Sequence, residues 1–145
     1  MAKSKKIFFI GSDIPYPGNT GGSAINWSAV NYLISKGHKL TIFSDPPLGG
    51  TPINENLRIK MLEKIQSLNC DYVSLHHLKK KIKKKNFFER LFSNNIKDYY
   101  PECNFSGQIE EIIKEKIQEI KPDLILCYGS PAIYHVKNIN YLKAG

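Results

Sequence analysis

The apolar run Ile7-Phe8-Phe9-Ile10 and the strand-like Lys39-Leu-Thr-Ile-Phe-Ser bracket a glycine-rich loop and a helix-length segment. Uninterrupted apolar runs of strand length suit parallel strands covered on both faces. Lys6–Ile10 stops at Gly11, and Lys39–Ser44 forms the second strand. Between them, a helix from Ser23 to about Lys36 places Trp27, Val30 and Ile34 at helical spacing, with Ser23 as its cap and Gly37 as its stop. Strand, loop, helix and strand in this order make a βαβ unit, which is parallel and right-handed.

The same reading extends down the chain. Glu55–Leu68 is a helix with Leu57, Met61, Ile65 and Leu68 on one face, and Asp71–Leu75 is a third strand. Ile109, Ile112, Ile113, Ile117 and Ile120 repeat at helical spacing, with Glu110 and Glu111 placed for the positive end of that helix. Lys121-Pro122-Asp123 ends it, and Leu124–Tyr128 is the fourth strand. The expected fold is α/β: a Rossmann-like open parallel sheet, helices on both faces, strand order 3-2-1-4. Ligands of such sheets bind beyond the carboxyl ends of the strands, at the switch in strand order. That crevice falls between Asp13–Ser23 and Gly129–Ala132.

The loop after the first strand has about twelve residues where two to six would connect the elements, and a loop that long at the binding edge points to a site. Gly21 and Gly22, just before the helix, can bring backbone N–H groups to an anion. Gly11, Gly18 and Gly21 lack dinucleotide-fingerprint spacing, and no lysine follows as in a phosphate-binding P-loop. Asp13 suits either a sugar hydroxyl or nearby backbone. Asp45, ending the second strand, reads as a turn residue. Cys70, Cys103 and Cys127 are widely spaced and read as reduced thiols, Cys127 as a small core residue. His76 and His77 point to opposite faces of a strand and make no metal set.

The net charge of +8 is local. Residues 79–90 hold seven of the 21 lysines and arginines and a single acid, leaving a net of +2 for everything else. Within Leu78–Phe92, Lys79, Lys80, Lys81, Lys83, Lys84 and Lys85 flank Ile82, Phe87, Phe88, Leu91 and Phe92. This basic amphipathic pattern suits an anionic membrane surface, or a solvated helix packed on the domain. Its aromatics form an apolar face rather than stacking platforms, so nucleic acid is not an expected partner. The apolar stretch at the N-terminus is too short for a signal peptide, and no run approaches the roughly 20 residues of a membrane span. A cytoplasmic protein, peripheral at the inner face of the membrane, is the expectation.

Lys6-Ile-Phe-Phe-Ile-Gly-Ser-Asp-Ile-Pro-Tyr-Pro-Gly-Asn-Thr-Gly-Gly-Ser, followed by a helix and Lys36-Gly37-His38-Lys39-Leu40-Thr41-Ile42, resembles the opening of family-four glycosyltransferases. Ile120-Lys-Pro-Asp-Leu-Ile-Leu resembles a later strand of that family. The likeness covers roughly residues 6–45 and 105–135. It implies one half of a GT-B fold: the N-terminal, acceptor-side domain of a retaining enzyme without an active-site metal or cofactor. The partners it implies are a nucleotide-sugar donor and a glycan or lipid acceptor. By the same resemblance the Gly21-Gly22 loop faces the donor diphosphate; Ser23, Asp13, Gly129 and Ser130, which the switch in strand order puts at the same crevice, complete the candidate donor or substrate contacts. Neutral N–H donors and a helix end there would stabilise charge on a departing nucleoside diphosphate. The chain departs from the family in two ways. Tyr128-Gly129-Ser130-Pro131 stands where many relatives carry a histidine, with His135 in the following turn or helix. The C-terminal donor-binding domain is absent, so residues 1–145 alone are expected to be inactive. A GT-B sugar-nucleotide epimerase and a non-catalytic membrane-peripheral module are the alternatives.

Overall fold

The computed structural model describes residues 3–44, 54–73, 106–137 and 139. Four parallel strands are joined in the order β3-β2-β1-β4: β1 (Lys6–Gly11), β2 (Lys39–Ser44), β3 (Asp71–Val73) and β4 (Leu124–Tyr128). The expected α/β fold and strand order are therefore present. The central pair runs in register from Lys6 opposite Lys39 to Gly11 opposite Ser44, and β4 joins the other side of β1 with Gly11 opposite Tyr128.

Alternation along the strands sends successive side chains to opposite faces. Ile7, Phe9, Leu40 and Ile42 face α1 (Gly21–Ser35) and α2 (Glu55–Gln66), where Val30, Met61 and Ile65 complete one core layer. Phe8, Ile10 and Phe43 face the other way, onto Ile109, Ile113 and Ile117 of α3 (Ser106–Ile120) and Ala132 of α4 (Ser130–Val136). Both faces are covered, which is why β1 carries a continuous apolar run and β2 buries every residue from Leu40 to Ser44. Phe8 and Phe43 meet edge to face, their ring centroids 5.8 Å apart.

The termini of the elements depart from the sequence reading in physically clear ways. Thr20, not Ser23, caps α1: the Thr20 hydroxyl accepts from the Ser23 N–H at 3.0 Å. The helix therefore starts at Gly21, and the freed Ser23 hydroxyl donates instead to the Ile14 carbonyl at 2.5 Å. The inward stripe of α1 is Ser23, Asn26 and Val30, so Trp27 and Ile34 are only partly buried. The Lys64 ammonium lies 5.7 Å from the Trp27 ring centroid, a cation–π contact on that flank. Gly37 terminates α1 with φ of +79°, its N–H returning to Ile34.

Helix α2 is capped by Asn54 and ends at Gln66, so Leu68 packs beyond its end. Helix α3 begins at Ser106, which moves Glu110 and Glu111 into its second turn, past the reach of the end charge. Glu110 pairs with Lys114 at 2.6 Å instead. Asp123 pins the start of β4: its carboxylate accepts from the Lys6 N–H at 2.8 Å, and its own N–H donates to the Lys6 carbonyl at 2.7 Å. Among the described residues β4 has a strand neighbour on one side only, which leaves Cys127 half-buried rather than in the core. Residues 74 and 75 of the expected third strand, Asp45, His76, His77 and Cys103 lie outside the described residues, as does the whole of Leu78–Phe92. No helix among the described residues is long and apolar enough to cross a membrane.

Candidate functional site

The carboxyl ends of β1, β2 and β4 lie side by side, and β1 feeds its long loop onto the amino end of α1. Four hydrogen bonds hold that loop, one of them from the Tyr16 N–H to the Ser23 carbonyl at 3.2 Å. The Ser12 N–H donates to the Tyr128 carbonyl at 3.1 Å, tying the loop to β4. The Ser23 hydroxyl reaches the Ile14 carbonyl, and the Asn26 amide donates to the Asp13 carbonyl at 2.8 Å. Ser23 and Asn26 are fully buried, so α1 grips the loop with an i, i+3 polar pair where an apolar stripe would otherwise run. Ile14 and Pro15 are buried beneath it.

The two predicted glycines have different surroundings. Gly21 is exposed and faces open space, whereas a Cβ on Gly22 would overlap the carboxylate of Asp13. The absence of a side chain at Gly22 thus makes room for an anion belonging to the chain itself, at the helix end that favours negative charge. Gly129 stands across the crevice with φ of +94°, a conformation L residues rarely adopt, and a Cβ there would overlap the Ser12 hydroxyl. Consecutive residues of the β1 loop, Ser12 and Asp13, therefore touch the glycines that precede or open two helices. Ser130 opens α4, and its side chain lies outside the described residues.

Three residues of this edge are not among those singled out from sequence: Gly11, Asn26 and Ser44. The Asn26 amide nitrogen lies 2.9 Å from where a Gly11 Cβ would stand, so Gly11 leaves the space that the asparagine fills. Ser44 is the β2 partner of Gly11 and shares its face of the sheet. The Asn26 Oδ1 and the Ser44 Oγ are both buried, and neither has a hydrogen-bond partner within the described structure. An asparagine four residues before Val30, at the position facing the end of a strand, is the signal that would have found the first of them.

Charge at the edge is sparse. Not one of the 21 lysines and arginines falls within residues 11–35 or 122–136, and Asp13 is the one charged residue of 11–35. His135 is buried on α4 toward α3. Burial lowers its pKa from 6.5 to about 4, partly opposed by Glu110, so it is neutral at neutral pH. Burial pushes the Cys127 thiol up to about 11; burial and the Asp71 charge do the same for Cys70, and neither is a ready nucleophile. Among the described residues no three His, Cys, Asp or Glu side chains converge as a metal site would require. Comparisons of this chain with protein families, with curated proteins and with solved structures find no match.

Proposed function

We propose that this chain is the acceptor-side half of a glycosyltransferase that moves a sugar from a nucleotide-sugar donor to a lipid-linked or polysaccharide acceptor. The observation that carries the reading is the long Pro15-Tyr-Pro-Gly…Gly21-Gly22 loop at the switch between β1 and β4, in a sheet of order 3-2-1-4. The loop is pinned at Ser12, Asp13 and Ile14, so it presents a fixed wall rather than a floppy connection. A fixed wall is what orientation of two reactants demands, since misplacement of an acceptor by an ångström is costly in rate. A second wall from a donor-binding domain would complete the cleft.

The test is product analysis with the complete gene product, a panel of nucleotide sugars and lipid-linked or polysaccharide acceptors. Release of nucleoside diphosphate together with a glycosylated acceptor is expected. An epimerised nucleotide sugar with no acceptor product would replace the reading with an epimerase, and neither product would overturn both. Residues 1–145 alone are expected to give no transfer, and turnover by them would contradict the half-site assignment.

A further inference from the structure

Helix α1 differs from the other long helices in the surface it shows. Five of the twelve residues of α2 are charged and six of the fifteen of α3, whereas none of the fifteen of α1 is. The exposed residues of α1 are Gly21, Ile25, Ser28, Tyr32 and Ser35, alternately four and three apart. They form one seam along the helix, at the spacing by which two helices pack side by side. Ile25 and Tyr32 are 51% and 61% exposed, and no atom stands within 4 Å of where a Gly21 Cβ would be. The Ser28 hydroxyl donates to the Ala24 carbonyl at 3.0 Å, and the Ser35 hydroxyl to the Tyr32 carbonyl at 2.8 Å. The serines of the seam are therefore satisfied within the helix, and covering them leaves no hydroxyl without a partner.

We infer that α1 is the contact by which two copies of this chain pair, antiparallel about a two-fold axis. Such a contact brings a surface against itself, so in a chain of net charge +8 it favours a stretch without cations. Residues 14–35 are such a stretch, with no charged side chain of either sign. Antiparallel packing sets large against small: Ile25 over Ser28 of the second copy, and Tyr32 over Gly21 of the second copy. It also brings unlike charges together. The Asp13 carboxylate lies against Gly22 at the amino end of α1, and the Lys36 ammonium lies 5.4 Å from the Tyr32 ring centroid at the other end. Tyr32 thus carries Lys36 to the Asp13 end of the second copy. A carboxylate accepts from several donors at once, so Asp13 keeps its contacts within its own chain. A parallel pair would oppose Tyr32 to Tyr32 and Lys36 to Lys36. Pairing also lends a lysine to a crevice whose residues 11–35 and 122–136 have none. Helix α1 is about 22 Å long. One face of that length buries less than the roughly 800 Å² per partner of a standard interface, so the association is weak and concentration-dependent.

Sedimentation equilibrium of the full chain from about 10 μM to 1 mM tests this, with a monomer–dimer Kd on the order of 100 μM expected. Tyr32→Ala, Ile25→Lys and Ser28→Glu should each weaken pairing roughly tenfold or more. All three positions are exposed, so the circular dichroism of the variants should match the wild type. Mixing Ile25→Lys with Ser28→Glu should restore the dimer. Each hybrid sets the new ammonium against the new carboxylate on one side of the axis and keeps the original contact on the other. A wild-type monomer at about 1 mM overturns the inference. So does a dimer that none of the three substitutions weakens, or a mixture that stays monomeric. Monomers that bind neutral phosphatidylcholine vesicles, and lose that binding with Tyr32→Ala, would assign the seam to a membrane and overturn it as well. The inference stands apart from the glycosyltransferase reading: sugar transfer by a monomeric protein refutes the pairing alone, and a dimer without transfer refutes the glycosyltransferase alone.

Discussion

Gly22 and Gly129 look alike in the sequence and are required for different reasons. Gly22 has ordinary helical backbone, and its constraint is the Asp13 carboxylate. Gly129 has both a positive φ and the Ser12 hydroxyl against it. Thermal melting of paired variants separates the two causes. In an Asp13→Ala background, Gly22→Ala is expected to become stabilising by up to about 1 kcal/mol, because alanine is the better helix former. Gly129→Ala is expected to destabilise by about 1–2 kcal/mol even in a Ser12→Gly background, because the backbone strain remains. Asp13 and both glycines could be singled out by composition and place. Asn26 left only its spacing before Val30 as a signal and Ser44 left none, because a polar residue on an inward face has meaning only once the neighbouring strand end is in position.

His135 adds a pH dependence at the same scale. Its folded pKa of about 4 lies below the unfolded 6.5, so the unfolded chain binds the proton more readily. The stability linked to the neutral ring is fully present above about pH 6.5 and is lost as the pH falls toward 4. On the order of 2 kcal/mol should disappear between pH 7 and 4.5. His135→Leu should flatten that part of the profile in urea titrations run at each pH.

At the scale of elements, the apolar periods of the strands and helices carried the topology. The continuous apolar run of β1 requires two covering layers, and the single switch in direction places β4 beside β1. Helix starts were less legible. Thr20 and Ser23 are both competent caps, and only the packing of Ile14 under the loop decides that Ser23 points inward. Thr20→Ala should therefore cost about 1 kcal/mol as a lost cap. Ser23→Ala should instead release the loop, raising hydrogen exchange at residues 12–18 without shortening α1. Equal exchange effects of the two substitutions would show that the division of roles is wrong.

Across the whole molecule, charge is segregated. Residues 11–35 and 122–136, which carry the β1 loop, α1, β4 and α4, have no lysine or arginine, whereas residues 79–90 hold seven. The lysine segment follows β3 in sequence, and its pattern alone motivates a proposal of docking on anionic membrane, at about 1 kcal/mol per lysine near the surface and screened by salt. Co-sedimentation with phosphatidylserine vesicles is expected to be salt-sensitive. It should be lost when Lys79, Lys80, Lys81, Lys83, Lys84 and Lys85 become glutamine; equal binding by both proteins would end the proposal.

The clamp between Lys6 and Asp123 also has a consequence in time. Its partners are 117 residues apart, and β1 is complete as a central strand only when both β2 and β4 have joined it. A ribosome adding about 5–20 residues per second needs on the order of ten seconds to cover that distance. Throughout that interval the apolar strand β1 has at least one open edge. Early pairing of β1 with β2 can proceed, but the cooperative sheet must await the synthesis of β4.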